Sequence, residues 1–254
     1  MVFAKKKYGQ NFLIDQNIIS QIINEIKISN NNHYLEIGPG RGALTVHLNK
    51  KIKNLTLIEV DEDMIPILEK INPQNFNLVH NDILKLDEKF FSNFQTIIGN
   101  LPYYISTEII FKLLAISNIQ TMYFMLQKEV ADRITATKGS KNNCILTNLI
   151  SFYFDSEILI EVPPQSFDPV PKINSSFIKL TRHERFNRNY SYDSFKTAVK
   201  ESFKFKRKNL KNNLKTIVDN EKLSSIDINP LDRAENLSIK DFIKIGEMIE
   251  KDVI

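Results

Sequence analysis

His33-Tyr34-Leu35-Glu36-Ile37-Gly38-Pro39-Gly40-Arg41-Gly42-Ala43 carries a short apolar segment into a turn with a glycine at every second position. A brief apolar run bounded by glycine and proline reads as a buried strand. Glycine at a strand-to-helix junction allows a tight turn and lets backbone approach a ligand with no Cβ in the way. The run from Leu44 to Leu48 then continues as a helix. Strand, glycine turn and helix together open a nucleotide-type α/β unit. Alone the signal is weak, because it also fits the relaxed dinucleotide fingerprint ending in alanine.

Working outward, Leu55-Thr56-Leu57-Ile58 reads as a second strand that delivers Glu59. Glu59 stands about 20 residues beyond the first glycine, the offset expected of an acid that binds ribose hydroxyls. A third strand, Asn77-Leu78-Val79-His80-Asn81, delivers Asp82. Both acids fall at the carboxyl ends of strands, where open α/β sheets bind ligands. Either could equally be a helix cap.

Upstream, Ile18, Ile19, Ile22, Ile23 and Ile26 make an apolar helical stripe. Downstream, Thr107 to Ala115 reads as a helix capped by Ser106 or Thr107, and Thr121 to Leu126 as a buried strand. Ile158 to Val162 and Ser175 to Leu180 read as strands flanking the loop from Pro163 to Pro171. Strand and helix alternate from Leu35 to about Ala136, as a mostly parallel sheet requires. Near Arg182-His183 the strands stop and the remainder reads as helices only. The predicted fold is α/β: a Rossmann-like domain over residues 1–182 and a small all-helical domain over residues 183–254.

The chemistry is carried by Asn100-Leu101-Pro102-Tyr103, directly after the apolar run Thr96-Ile97-Ile98-Gly99. An amide, a backbone carbonyl and an aromatic ring at one strand tip suit a planar base with an exocyclic amine. The Asn100 amide oxygen and the Leu101 carbonyl can each accept one hydrogen of that amine. Pro102 fixes its own φ and biases Leu101 away from the helical region, so the carbonyl direction is set in advance. Tyr103 offers a stacking face, worth about 1–3 kcal/mol per base. A plain proline turn after a buried strand is the structural alternative.

These residues lead to a resemblance that runs nearly end to end. The chain resembles the ribosomal RNA adenine dimethyltransferases that act on the small ribosomal subunit. Tyr8-Gly9-Gln10-Asn11-Phe12-Leu13 is similar to the family's opening element, and Glu36 to Gly40 to its methyl-donor loop. Ile58 to Asp61 is similar to its ribose-binding strand end, and Asn81-Asp82-Ile83 to its adenine-binding acid. Asn100 to Thr107 resembles its catalytic signature, and Phe167-Asp168-Pro169-Val170-Pro171-Lys172-Ile173-Asn174-Ser175 a second, later one. The resemblance implies a class I methyltransferase domain that uses S-adenosyl-L-methionine and no metal. It implies that Asn11, Leu13, Gly38, Gly40, Glu59, Asp82 and Asn100 hold the donor. Asn100, Leu101, Pro102, Tyr103 and Phe167 would handle the target base, Phe167 by stacking, although a phenylalanine in a proline-rich loop is more often a core residue. The implied reaction is dimethylation of the N6 amine of two adjacent adenosines near the 3′ end of small-subunit RNA, during ribosome biogenesis. Asn142 to Thr147 departs from the family's Gly-x-Leu-Ser stretch, expected on a helix near the substrate cleft.

Composition agrees with this without requiring it. Hydrophobic residues at 42% and charged residues at 25% suit a globular protein. A net charge of +4 permits an RNA partner. One cysteine, Cys144, excludes an internal disulfide and suits a reducing cytoplasm. The four histidines show no ligand spacing, so no metal site is expected. No apolar run reaches the ~18–20 residues of a membrane span, and no signal-peptide core follows Lys5-Lys6-Lys7. A cytoplasmic monomer is expected. On one helical wheel Lys196, Lys200, Lys204, Lys208, Lys211 and Lys215 share a face with Arg207 beside them, and only Glu201 is acidic between Lys196 and Lys215. A row of that kind suits a phosphate backbone; a solvated helix face is the plainer reading.

Rival functions remain open at this point. A nicotinamide-dependent dehydrogenase would share the glycine turn and Glu59 but leaves Asn100 to Tyr103 unexplained. A non-catalytic assembly factor docking on ribosomal RNA would need only the lysines. Large-subunit RNA methyltransferases of the antibiotic-resistance type share the donor pocket, though their catalytic loop more often carries Ile where Leu101 stands.

Overall fold

A computed structural model describes residues 4, 5, 8–71, 76–186 and 190–252. Of the basic start, Lys6 and Lys7 lie outside the described residues. The strands are β1 (Phe12–Leu13), β2 (Tyr34–Ile37), β3 (Leu55–Glu59), β4 (Phe76–His80), β5 (Thr96–Asn100), β6 (Thr121–Gln127), β7 (Phe154–Val162), β8 (Phe167–Asp168) and β9 (Ser175–Arg182). The helices are α1 (Gln16–Glu25), α2 (Thr45–Leu48), α3 (Ile65–Leu68), α4 (Glu88–Phe91), α5 (Ser106–Leu114), α6 (Lys128–Ile134), α7 (Ile145–Ser151), α8 (Tyr192–Ser202), α9 (Leu210–Asn213), α10 (Asn220–Ser225) and α11 (Ile239–Asp252).

Seven strands form one sheet in the order β4-β3-β2-β5-β6-β9-β7. β2 through β6 run parallel, and β9 joins β6 antiparallel. This is the expected Rossmann-like sheet, with near-continuous apolar strands such as Met122 to Leu126, buried on both faces. Strand order reverses between β2 and β5, and in an open sheet that reversal leaves a crevice at the carboxyl ends. Register makes the crevice specific. Ile37 pairs with Ile58 on one side and Gly99 on the other. Gly38, Glu59 and Asn100, each one residue further on, therefore line up across three neighbouring strand ends.

α1 begins where the Asp15 side chain accepts hydrogen bonds from the Asn17 and Ile18 backbone, and it buries Ile18, Ile19, Ile22 and Ile23. Ile26 is also buried, just past the helix end. α5 starts at Ser106 with no side-chain cap; the Ser106 hydroxyl instead donates to the Tyr103 carbonyl at 3.2 Å. At the far end, buried Arg182 donates to the carbonyls of Leu114, Ile116 and Ile119. A cation there satisfies acceptors that a helix end leaves open.

The chain divides into two compact units, Met1–Ala131 with Ser156–Arg182, and Asp132–Asp155 with His183–Ile254. The change at residues 182–183 was expected; the assignment of residues 132–155 to the helical unit was not. α7 carries Leu149 into a core with Val199, Leu214 and Phe242, and Phe152 follows it with its ring 4.7 Å from that of Phe195. Reading strand–helix alternation cannot tell which core a helix serves.

The single lysine wheel is also corrected. α8 stops at Ser202 and α9 starts at Leu210, so residues 203–209 form a loop. The Asn209 side chain caps α9 through the Asn212 backbone N–H, and buried Asn213 occupies carbonyls that a continuous helix would use itself. Asn142 to Thr147 leads into α7 within the helical unit, where the Asn143 amide donates to the Glu235 carbonyl at 2.9 Å. No helix among the described residues is long and apolar enough to cross a membrane.

Candidate active site

A cleft opens at the strand ends, lined by residues 8–13, 36–41, 58–60, 81–83 and 100–103. It brings together Asn11, Leu13, Gly38, Gly40, Glu59, Asp82, Asn100, Leu101, Pro102 and Tyr103, residues far apart in sequence. Phe167 is not among them. Its ring is 1% exposed and packs in the main core with Leu13, whose partner it is in the β1–β8 pair. The stacking face expected of Phe167 is therefore not presented, because the apolar ring is more stable in that core than against solvent.

The floor of the cleft is the glycine turn. Gly40 adopts φ +56°, and a Cβ there would come within 3.0 Å of the Phe12 ring. Only glycine suits both the conformation and the approach. Glu59 holds this turn from the side: one carboxylate oxygen accepts from the Gly40 N–H at 3.0 Å, the other from the Val60 and Asp61 N–H groups at 2.9 Å each. Burial pushes its carboxyl above the ordinary range, and those backbone donors oppose the rise. Next to it, buried Glu36 is pushed up to about 8 by burial, with the Thr45 hydroxyl bond at 2.8 Å opposing and the Glu59 charge adding. The Asp82 side chain does cap the short turn at Ile83–Lys85, through the Leu84 N–H at 2.9 Å. That bond uses one carboxylate oxygen and leaves the other for a ligand.

The N-terminal segment forms the opposite wall, and its anchors were missed in the sequence. Asp61, fully buried, accepts from Lys5 at 2.6 Å and from the Gln10 amide at 2.8 Å. Burial would raise the Asp61 carboxyl, but the bonds from Lys5, Gln10 and the Asp63 backbone outweigh it and hold it low. Arg41 donates to Asp168 at 2.8 Å, and its guanidinium lies 4.2 Å from the Phe12 ring centroid. A second acid two residues after Glu59 and an arginine inside a glycine turn are the signals that could have flagged these contacts.

At the strand tip, the Asn100 amide nitrogen donates to the Asn11 carbonyl at 2.9 Å. A carbonyl can only accept, so the amide orientation is fixed with its oxygen turned away from Asn11. Neither that oxygen nor the Leu101 carbonyl accepts a hydrogen bond among the described residues. The Leu101 side chain is buried and its N–H donates to the Met125 carbonyl, so the backbone is held. The Tyr103 hydroxyl and the Ser175 hydroxyl lie 2.6 Å apart, which ties the two distant signatures together. Burial pushes the Tyr103 phenol upward, so it stays protonated at neutral pH. Lys200, Lys204, Arg207, Lys208, Lys211 and Lys215 are exposed on the helical unit.

Comparison with known proteins shows the family of the chain. A family model described as ribosomal RNA adenine dimethylase matches residues 1–251. Ribosomal RNA small subunit methyltransferase A of Fusobacterium nucleatum is 40% identical and covers 97% of each chain. The protein of that name from Neisseria gonorrhoeae is 37% identical over 250 residues, 97% of this chain and 96% of its own. A crystal structure of a dimethyladenosine transferase from Plasmodium falciparum matches with TM-score 0.85 and 27% identity, over 95% of this chain and 98% of that one. The 23S rRNA methyltransferase ErmE shares the fold, with TM-score 0.73 at 22% identity, over 94% of this chain and 100% of that one.

Proposed function

From the premise that this chain belongs to the ribosomal RNA adenine dimethylase family, and so is a methyltransferase, we propose that it dimethylates the N6 amines of two adjacent adenosines near the 3′ end of small-subunit RNA. It acts as a cytoplasmic monomer on the assembling subunit. The donor is S-adenosylmethionine, which when bound supplies a methyl group on a positively charged sulfur. The cleft suits it: Gly40 allows close approach, Glu59 faces the position of a ribose, and the second Asp82 oxygen can accept from an adenine amine. Asn11 and Leu13 close the site from the N-terminal side.

The observation that carries the reading is the pair of free acceptors at Asn100 and Leu101. An adenine amine has its lone pair delocalised into the ring and is a poor nucleophile. In the first transfer, donating its two hydrogens to the Asn100 oxygen and the Leu101 carbonyl favours a tetrahedral nitrogen with the lone pair turned toward the methyl. In the second, the one remaining hydrogen engages only one of these acceptors. Fixed acceptors need no reorganisation at the moment of reaction, so positioning and electrostatics supply most of the rate. No general base need act first, since the nitrogen becomes strongly acidic once alkylated. The target base leaves its stack to enter and lies against Tyr103, which Ser175 holds.

Asn100→Ala tests this. Donor affinity should stay near wild type, with a modest loss from freeing the Asn11 segment. Single-turnover methyl transfer should slow by roughly 10²-fold or more, as for removal of one preorganised hydrogen-bonding group. Transfer at the wild-type rate would overturn the mechanism.

A further inference from the structure

The loop between α8 and α9 reads Phe203-Lys204-Phe205-Lys206-Arg207-Lys208-Asn209 and contains no acid. A solvated linker needs neither an internal framework nor an exposed aromatic ring, and this loop has both. The framework is Asn213, 4% exposed. Its amide nitrogen lies 2.6 Å from the Ser202 carbonyl, 3.3 Å from that of Phe205 and 3.5 Å from that of Lys208. Its amide oxygen accepts from the Phe205 N–H at 3.2 Å. The Lys208 N–H closes the turn onto the Phe205 carbonyl at 2.9 Å. One buried side chain thus fixes the backbone on both sides of Phe205.

The two aromatics of the loop are treated oppositely. Phe203 packs inward, its ring 5.8 Å from that of Phe242. Phe205 is 57% exposed. Lys206, Arg207 and Lys208 are exposed beside it, and Lys204 is paired with Glu201 at 2.9 Å.

We infer that Phe205, held by this loop beside the cations already expected to take phosphates, stacks on an unpaired base of the RNA. An aromatic face accepts any base, and cations alongside it supply backbone contacts without sequence preference. A single ring among cations presents too little apolar surface for a protein partner with a hydrophobic interface. It also lacks the broad apolar face with which amphipathic helices enter lipid. The inference rests on RNA being the substrate and adds a second contact, on the helical unit, to the base held at Asn100.

The chain contains no tryptophan, so Phe205→Trp installs a single fluorescent reporter. An unmethylated small-subunit RNA transcript should quench it, and a fully paired RNA duplex should quench it much less. Phe205→Ala should bind the transcript about 5- to 150-fold more weakly, the loss of one stacked base, with thermal stability and salt dependence unchanged. Phe205→Tyr should restore affinity. Absence of quenching, a quench by anionic phospholipid vesicles in place of RNA, or wild-type affinity in Phe205→Ala would each overturn the inference. Failure of the underlying reading looks different: the transcript would still quench, but wild-type protein would transfer no methyl to small-subunit RNA.

Discussion

At the residue scale, the buried carboxyls that line the cleft tie it to the stability of the fold. Glu36 is pushed up to about 8 in the folded protein, against 4.5 for an ordinary glutamate. Between those values the folded state holds a proton that the unfolded state has lost, so this group's contribution to stability falls as pH rises through that window. Glu36→Gln keeps an acceptor for the Thr45 hydroxyl and does not titrate. Its melting temperature should gain on wild type from about pH 5 to about pH 8, and a constant difference across that range would contradict the assignment. Glu59 is a different case, because three backbone N–H groups already lean on it. Glu59→Gln leaves one amide end facing the Gly40 N–H, which should loosen the glycine turn as well as the ribose contact. Calorimetry should show donor affinity reduced by about 1.5–3 kcal/mol, roughly 10- to 150-fold. Unchanged affinity would return Glu59 to a purely structural role.

At the element scale, the strand tips were legible because their patterns are local. Apolar runs placed β2, β3, β5 and β6 to within a residue or two, and the residue after each of the first three named Gly38, Glu59 and Asn100. What the sequence hid depends on pairing across distance. Phe167 disappears into the core through its pairing with Leu13, and Asp61 gathers Lys5 and Gln10 from more than fifty positions away. The lysine row failed as one wheel for a related reason: the helix is broken by Asn213, a residue that follows the break. The charge survives the correction in part: Lys200 is exposed on α8, Lys204 and Lys208 on the loop, Lys211 on α9 and Lys215 beyond it, while Lys196 is half-buried. Replacing Lys206, Lys208 and Lys211 with Gln should lower RNA affinity. The slope of log affinity against log salt should shrink by up to about 0.7–0.9 for each phosphate no longer neutralised. Binding isotherms at several salt concentrations decide it, and an unchanged slope would leave these lysines as a solvated surface.

At the scale of the whole molecule, the chain has two units with separate cores. Every residue that lines the cleft belongs to the first, and the basic loop belongs to the second. Changes in the loop should therefore leave donor affinity untouched, while changes at Glu59 should leave the salt dependence of RNA binding untouched. Family membership sets the class of reaction; in the proposed mechanism the acceptors at Asn100 and Leu101 hold the amine of the target base. The most direct test is mass mapping of ribosomal RNA after the protein is incubated with S-adenosylmethionine and small subunits lacking these methyl groups. The account predicts two methyl groups on the N6 of each of two adjacent adenosines near the 3′ end of the small-subunit RNA, and accumulation roughly 10²-fold slower with Asn100→Ala under the same conditions. Methyl groups on large-subunit RNA instead, or no transfer by the wild-type protein, would contradict it.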